Sequence, residues 1–161
     1  MQLVENQITL PNGLDITHTQ LNHPGASVIL PILDNGEILL IHQFRPALGK
    51  WLIELPAGTL ESNEDPLSCA QRELAEETGF QARQWQAMGR CTPMAGFCDE
   101  IQYLFLAHDL SHNQQHTCDV DEVIELKPMS LAQIEAAICD DIITDAKTIA
   151  CLSKAKLMGL I

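Results

Sequence analysis

The amino-acid sequence predicts a single α+β domain in which helices and a mixed β-sheet stack in α/β/α layers. Strand-like segments fill most of the first half, one helix with clear end signals lies near the middle, and two more helices close the chain. With 161 residues, 46% of them hydrophobic, and no repetitive or Gly/Ser-rich stretch, the chain has the size and composition of one globular domain. We therefore treat residues 1–161 as one domain.

Two pairs of strand-like segments surround short turns and predict β-hairpins. The turns are Pro11-Asn12-Gly13 and Asp34-Asn35-Gly36, whose residues tolerate positive φ angles. Another short strand ends at Pro56, where a loop begins. The strands predicted in this half cover residues 8–10, 14–17, 27–33, 38–44 and 52–55.

The central helix is predicted over residues 66–78 because both of its ends are marked. Asp65 is a good N-cap, Pro66 suits the first helical position, and Gly79 follows the last turn. The helical spacing predicts an apolar face made of Leu67, Ala70 and Leu74.

Three more strands and two helices are predicted after this helix. The strands cover residues 84–88, 101–107 and 123–126. Ser130 and Gln133 form a predicted capping box for a helix that buries Leu131, Ile134 and Ile138. The last helix, residues 145–157, is predicted to close the core with the face formed by Ala146, Ile149, Ala150 and Leu157.

The net charge of −13 excludes several classes of partner, because it repels nucleic acid backbones and anionic membranes. An anionic small molecule needs divalent cations and placed arginines to bind such a protein. No stretch approaches the roughly 20 apolar residues that span a bilayer, and no signal peptide is visible. We expect a cytoplasmic protein whose six cysteines, which form no CxxC pair, are buried reduced thiols.

Three carboxylates lie close together in the central helix, within the sequence RELAEETGF at residues 72–80. Glu73, Glu76 and Glu77 share one side of the helix because they are three and four residues apart. Such a cluster is usually a solvated acidic face. Alternatively, its oxygen atoms form a binding site for Mg²⁺, which prefers carboxylate and carbonyl ligands. Glu64 precedes the helix and lies close enough to pair with Arg72.

The segment from Gly58 to Phe80 resembles the signature of the Nudix hydrolases at every defined position: Gly, five residues, Glu, seven residues, then RELAEETG. The resemblance implies a Nudix-like layered fold and a bound metal, Mg²⁺ or alternatively Mn²⁺. It assigns Glu76 and Arg72 to the catalytic set. The implied metal ligands are Glu73, Glu76, Glu77 and the Ala57 carbonyl, and the implied loop-shaping residues are Gly58, Glu64 and Gly79.

Five weaker segments resemble the ADP-ribose pyrophosphatase branch of this family: HQFRP at 42–46, ELPAG at 54–58, GFCDE at 96–100, DVDEVIEL at 119–126 and DAKT at 145–148. The resemblance implies that Arg45 and Glu100 line the substrate pocket and that Glu122 assists hydrolysis. Each has a structural alternative, since Arg45 could be a surface charge and the acidic residues could lie in solvated loops. The branch usually has a proline where this chain has Ala95.

These resemblances predict Mg²⁺-dependent hydrolysis of the pyrophosphate bond of ADP-ribose or a related nucleoside diphosphate sugar, which gives AMP or another NMP and a sugar phosphate. The alternatives are hydrolysis of dinucleoside polyphosphates or NADH, and a sensor with the same fold that binds a nucleotide sugar without cleaving it. Trp51 and Trp85 are the candidates for base stacking. By analogy with the branch we expect a homodimer, with residues 1–23 at the interface.

Overall fold

The computed structural model describes residues 1–112 and 123–161. Within them the chain forms nine strands and three helices. The strands are β1 (Gln2–Thr9), β2 (Asp15–Asn22), β3 (Ala26–Pro31), β4 (Ile38–Arg45), β5 (Lys50–Glu54), β6 (Ala57–Thr59), β7 (Phe80–Cys91), β8 (Gln102–His112) and β9 (Ile124–Met129). The helices are α1 (Pro66–Thr78), α2 (Leu131–Cys139) and α3 (Ala146–Leu157).

The strands of the described residues belong to three sheets. The central sheet has the order β6-β3-β8-β7 and is mixed, because β3 and β8 are parallel while the other pairs are antiparallel. A second sheet, with the order β5-β4-β9, is antiparallel, and β1 and β2 form a separate hairpin. The predicted α+β class with a mixed sheet is confirmed.

The layers follow from the alternation of side chains along β3 and β8. Ile29 and Phe105 face one side of the central sheet, where they pack with Ala70 and Leu74 of α1. The intervening residues face the other side and share a cluster with α2 and α3. That cluster includes Val28, Leu30, Leu104, Leu106, Ile134, Cys151 and Leu152. Helix α1 therefore covers one face, and the two later helices cover the other.

Helix α1 has the bounds predicted from its end signals. The Asp65 carboxylate accepts hydrogen bonds from the backbone N–H groups of Leu67 and Ser68, and Gly79 ends the helix with a φ of 71°. The predicted apolar face is wrong at Leu67, which is 36% exposed. Leu67 lies in the first turn of the helix, and Cys69 is buried instead.

The prediction that the segments around Asp34-Asn35-Gly36 form a hairpin is wrong beyond the turn itself. β3 and β4 belong to different sheets, and a single bridge joins Ile32 to Ile38. β8 pairs with β3 along Ala26–Pro31 and β6 pairs with it at residues 26–28, whereas β4 meets this segment only at the bridge after β3. The hairpin around Pro11-Asn12-Gly13 is confirmed, with strands longer than predicted.

The core-facing side of α3 differs from the prediction. Thr148, Cys151, Leu152 and Ala155 are buried, whereas Leu157 is 86% exposed. The sequence pattern hid this face because one of its residues is polar. The Thr148 hydroxyl can be buried because it accepts a hydrogen bond from Leu55 N and donates one to the Asp145 carboxylate.

The cysteines follow the prediction only in part. Cys69, Cys98 and Cys151 are buried free thiols, and burial raises the pKa of Cys69 to about 11 and that of Cys151 to about 12. Cys139 is exposed at the end of α2, so the expectation of a buried thiol is wrong there. Across the described residues, no helix has the length and apolar character that crossing a membrane requires.

We predict that Leu74→Ala lowers the free energy of unfolding by about 2–5 kcal/mol, because Leu74 is fully buried between α1 and the central sheet. Leu67→Ala is the matched control on the same helix, and its cost should be about 1 kcal/mol or less. Urea denaturation followed by circular dichroism measures both. Equal losses in the two variants would contradict the layered packing of α1.

Candidate active site

The site is built around a close approach between β6 and helix α1. A Cβ atom at Gly58 would lie 1.8 Å from the carboxyl carbon of Glu73, a distance that no side chain tolerates. Glycine at this position therefore allows the Glu73 carboxylate to lie directly against the strand backbone. Pro56 precedes β6 and separates it from β5, so the chain presents a short strand opposite the helix.

Arg72 connects the acidic residues of this region. Its Nε and Nη2 atoms donate to the two carboxylate oxygens of Glu64 at 2.9 and 3.0 Å. Its Nη1 atom donates to Glu73 at 2.7 Å and to Glu76 at 2.9 Å. The predicted pairing of Glu64 with Arg72 is thus present, and hydrogen bonding to Arg72 lowers the pKa of Glu64. The hydrogen bond with Glu64 is also the main reason that the pKa of Arg72 is raised.

The three helix carboxylates have different environments. Glu76 is 35% exposed, Glu73 is 13% exposed, and Glu77 is 3% exposed. The Glu77 carboxylate accepts a hydrogen bond of 2.9 Å from the Ala57 N–H. A solvated acidic face requires exposed carboxylates, so this alternative does not describe Glu73 and Glu77.

Two adjoining pockets meet at β6. The smaller has a volume of about 300 Å³ and is lined by Arg72, Glu73 and Glu76. The larger, of about 520 Å³, includes Glu100 and Lys147. Both pockets are lined by the same four residues, Arg45, Ala57, Gly58 and Thr59, which we call the shared wall. One elongated ligand can therefore extend from the carboxylates into the larger pocket.

Arg45 lies at this junction but is not an isolated surface charge. Its Nε and Nη2 atoms donate to the two oxygens of Glu54 at 2.8 and 2.6 Å, a bidentate contact. This hydrogen bonding is the main reason that the pKa of Arg45 is raised. Lys147 also contacts Glu54. Sequence reasoning did not select Glu54 or Lys147 individually, although they occur in the quoted segments ELPAG and DAKT.

Glu100 borders the larger pocket, as expected of a ligand-binding residue. It is 7% exposed, and the side-chain amide of Gln102 donates a hydrogen bond of 3.0 Å to its carboxylate. A buried carboxylate in a pocket can accept hydrogen bonds from the hydroxyl groups of a ligand. Gln102 was missed because nothing in its local sequence distinguishes it from any other strand residue.

The two tryptophans do not line these pockets. The Trp51 ring packs against His42 and Phe44, with centroid distances of 4.8 and 5.9 Å. The Trp85 ring packs edge-on against Phe105, and its indole N–H donates to a backbone carbonyl. Within one chain neither ring lines the two pockets, so base stacking on Trp51 or Trp85 stays a prediction.

Glu122, the predicted water-ordering acid, lies outside the described residues. Among residues 1–112 and 123–161, no three carboxylate, imidazole or thiol groups converge closely enough to hold a metal ion by themselves. Mg²⁺ does not require three protein carboxylates, since it usually retains waters and binds one or two of them together with substrate phosphates. Glu73 and Glu76 meet at a single nitrogen of Arg72 beside Gly58, and this donor set fits Mg²⁺.

Residues 21–149 match the model of the NUDIX domain. An ADP-ribose pyrophosphatase of Bacillus subtilis is 36% identical over 92% of this chain and 80% of its own length. A methanol dehydrogenase activator of Bacillus methanolicus is 35% identical over 92% of this chain and 81% of its own length. A GDP-mannose pyrophosphatase of Yersinia enterocolitica is 36% identical over 85% of this chain and 75% of its own length.

The fold is also similar to a solved structure, that of an ADP compounds hydrolase. The TM-score is 0.83, and the match covers 98% of this chain and 87% of the other. The sequence identity is 20%, so this likeness establishes the fold and nothing more specific. The layered architecture predicted from the sequence is confirmed by it.

We predict that Gly58→Ala weakens Mg²⁺ binding by about tenfold or more, or about 1.4 kcal/mol, because the new methyl group displaces the Glu73 carboxylate. Isothermal titration calorimetry with MgCl₂ measures the dissociation constant. Gly96→Ala is the control, since a Cβ atom at Gly96 meets no atom within 4 Å. Unchanged Mg²⁺ affinity in a folded Gly58→Ala protein would show that Glu73 does not bind the metal.

Proposed function

Because the chain belongs to the Nudix family, we propose that it hydrolyses the pyrophosphate bond of ADP-ribose or a related nucleoside diphosphate sugar. The products are a nucleoside monophosphate and a sugar phosphate. The observation that carries this proposal is the shared wall between the carboxylate pocket and the larger pocket. A diphosphate at this wall lies next to the acidic cluster, while the rest of the molecule occupies the larger pocket.

The proposed metal site consists of Glu73, Glu76 and Glu77, with the Ala57 carbonyl as a further ligand. We propose Mg²⁺ as the metal, with Mn²⁺ as the alternative. A bound divalent cation supplies charge neutralisation on the diphosphate and lowers the pKa of a coordinated water. Support comes from the positions of Glu73 and Glu77 beside β6, where Gly58 lets the Glu73 carboxylate approach the strand and the Ala57 N–H donates to the Glu77 carboxylate.

The chain's own side chains provide the remaining interactions. Arg72 holds Glu64, Glu73 and Glu76 together, which limits the repulsion between these carboxylates and shapes the loop with Gly58 and Gly79. Arg45 offers N–H donors to the diphosphate oxygens at the shared wall. Glu100, held by Gln102, accepts hydrogen bonds from hydroxyl groups of the substrate.

A homodimer is proposed from the N-terminal hairpin. β1 and β2 form a sheet of their own, with Leu3 71% exposed. An isolated two-stranded hairpin is only marginally stable in water, so a second copy of the chain that covers residues 1–23 would stabilise it. The hairpin is joined to a loop that borders the larger pocket, because Leu21 N donates to Phe97 O and Met94 of the same loop lines that pocket. Sedimentation of the protein as a monomer would contradict this assembly.

A cytoplasmic location stays a proposal from the sequence. The same is true of ADP-ribose as the preferred member of the substrate class, because Ala95 departs from the branch pattern. A sensor that binds without cleaving would be free to lose the carboxylates of the metal site, yet Glu73, Glu76 and Glu77 are all present together with Arg72. This favours an enzyme over a sensor.

We predict that ADP-ribose is converted to AMP and ribose 5-phosphate with a kcat/KM higher than that for NADH or diadenosine polyphosphates. The reason is the extended match to the ADP-ribose pyrophosphatase over most of the chain. The kcat/KM values are measured with each of these substrates in the presence of Mg²⁺, and the products are identified by ion-exchange chromatography. Cleavage of GDP-mannose about tenfold better than ADP-ribose would overturn the preferred substrate but leave the reaction class intact.

We predict that Glu122→Gln lowers kcat by about 10²-fold or more with little change in KM, because ordering the attacking water matters in the transition state. Glu122 is nearer in the sequence to the start of β9 at Ile124 than Asp119 or Asp121 is. Asp119→Asn and Asp121→Asn are the matched controls. If kcat falls strongly in Asp119→Asn or Asp121→Asn while Glu122→Gln has a normal kcat, that aspartate orders the water instead. Normal kcat in all three variants would show that no acid of this loop takes part.

A further inference from the structure

A buried carboxylate joins two separate parts of the larger pocket. Glu54, at the end of β5, is 1% exposed and lies between Arg45 of β4 and Lys147 of α3. Lys147 also pairs with Asp145 at 3.2 Å. Two cations and two carboxylates thus form a neutral network beside the shared wall, in a protein with a net charge of −13.

The network determines how Arg45 is held. Burial alone would raise the pKa of Glu54, but the hydrogen bonds from Arg45 and the charge of Lys147 keep that pKa below its ordinary value. An ionised Glu54 accepts from Nε and Nη2 of Arg45 together, and this bidentate contact fixes the plane of the guanidinium. Within residues 1–112 and 123–161, Arg45 donates to Glu54 through Nε and Nη2, and its Nη1 N–H groups donate to no acceptor there.

The position of Arg45 explains why this orientation matters. Its side chain is 37% exposed and borders both pockets, so it can reach a ligand that spans the shared wall. A long arginine side chain loses rotational freedom when it binds an anion, and a residue that fixes it beforehand reduces this cost. The Glu54 carboxylate is almost completely buried, so it does not face an anionic ligand directly.

We propose that Glu54 is a positioning residue for substrate binding: it holds Arg45 in the orientation that receives the diphosphate, and Lys147 holds Glu54 in turn. The inference rests on the proposed function, because the substrate must carry a diphosphate for Arg45 to bind. It adds two residues, Glu54 and Lys147, that act on the substrate through Arg45.

If the charged network around Glu54 has only a structural role, the expected effects of mutation are different. Near Glu54, the Leu55 N–H donates a hydrogen bond of 2.8 Å to the buried Thr148 hydroxyl, which connects β5 to the start of α3. If the charged network only fastens α3 to the sheet, then Glu54→Gln should resemble Thr148→Val. Both would lower the melting temperature, and neither would act specifically on KM.

The test is a double-mutant cycle with Arg45→Met and Glu54→Gln, assayed by steady-state kinetics on the substrate that the wild-type enzyme cleaves best. We expect Glu54→Gln to raise KM about tenfold with kcat within about threefold of wild type. In the Arg45→Met background the same change should alter KM by less than about twofold, because Glu54 acts through Arg45.

Three further variants complete the experiment. Lys147→Met should raise KM and Lys147→Arg should restore it, since arginine keeps the cation beside Glu54. If Glu54→Gln does not fold, the cycle with Lys147→Met decides the question. Glu135→Gln is the control for loss of a carboxylate, because Glu135 pairs with Lys156 on α3 away from the shared wall.

An unchanged KM in folded Glu54→Gln overturns the inference, and so does an increase of KM that is equally large in the Arg45→Met background. These outcomes differ from failure of the proposed function. If the wild-type protein cleaves no nucleoside diphosphate derivative in the presence of Mg²⁺, the proposed function is wrong, and the inference fails with it.

Discussion

The guanidinium of Arg72 is the contact on which the acidic helix depends. Three glutamates within five residues of one helix repel one another, and two of them are largely removed from water. Arg72 donates to Glu73 and Glu76 from one nitrogen and to Glu64 from two others, so it joins the helix to the loop before it. Since Gly58 lets the Glu73 carboxylate lie against β6 and Arg72 donates to the Thr59 carbonyl, the helix, the loop and the strand are joined at one place.

A second guanidinium, that of Arg45, lines the smaller pocket together with Arg72. Arg45 is held by Glu54 as Arg72 is held by Glu64, and in both cases two nitrogens of the arginine bond to one carboxylate. Each of these arginines is paired with at least one carboxylate, so neither pair adds net positive charge, and an acidic substrate also needs a divalent cation. Arg45 and residues 57–59 line both pockets, and Arg72 lines the smaller one.

The sequence was most informative where the interactions are local. The bounds of α1 follow from Asp65, Pro66 and Gly79, and the capping box of α2 from Ser130 and Gln133, because each group contacts backbone within a few residues. The Glu64–Arg72 pair was predictable for the same reason. The Nudix motif also identified the acidic helix correctly as more than a solvated face.

Contacts between distant residues could not be predicted in this way. β3 pairs with β6 and β8 rather than with β4, and no local pattern contains that information. Lys147 meets Glu54 across 93 residues of sequence. The buried face of α3 contains the polar residue Thr148, whose hydroxyl accepts a hydrogen bond from the distant Leu55 N–H.

Mn²⁺ titration of the ¹⁵N-labelled protein tests most directly whether residues 57–59 and helix α1 together form the metal-binding site. Paramagnetic broadening removes the amide signals closest to the bound ion. The account predicts that substoichiometric Mn²⁺ first removes the signals of Gly58, Thr59, Glu73 and Glu76, while those of the Gly13 and Gly36 turns persist. Loss of amide signals that begins at Asp140 and Asp141, or that spreads evenly over the acidic surface, would contradict a metal site at α1 and residues 57–59.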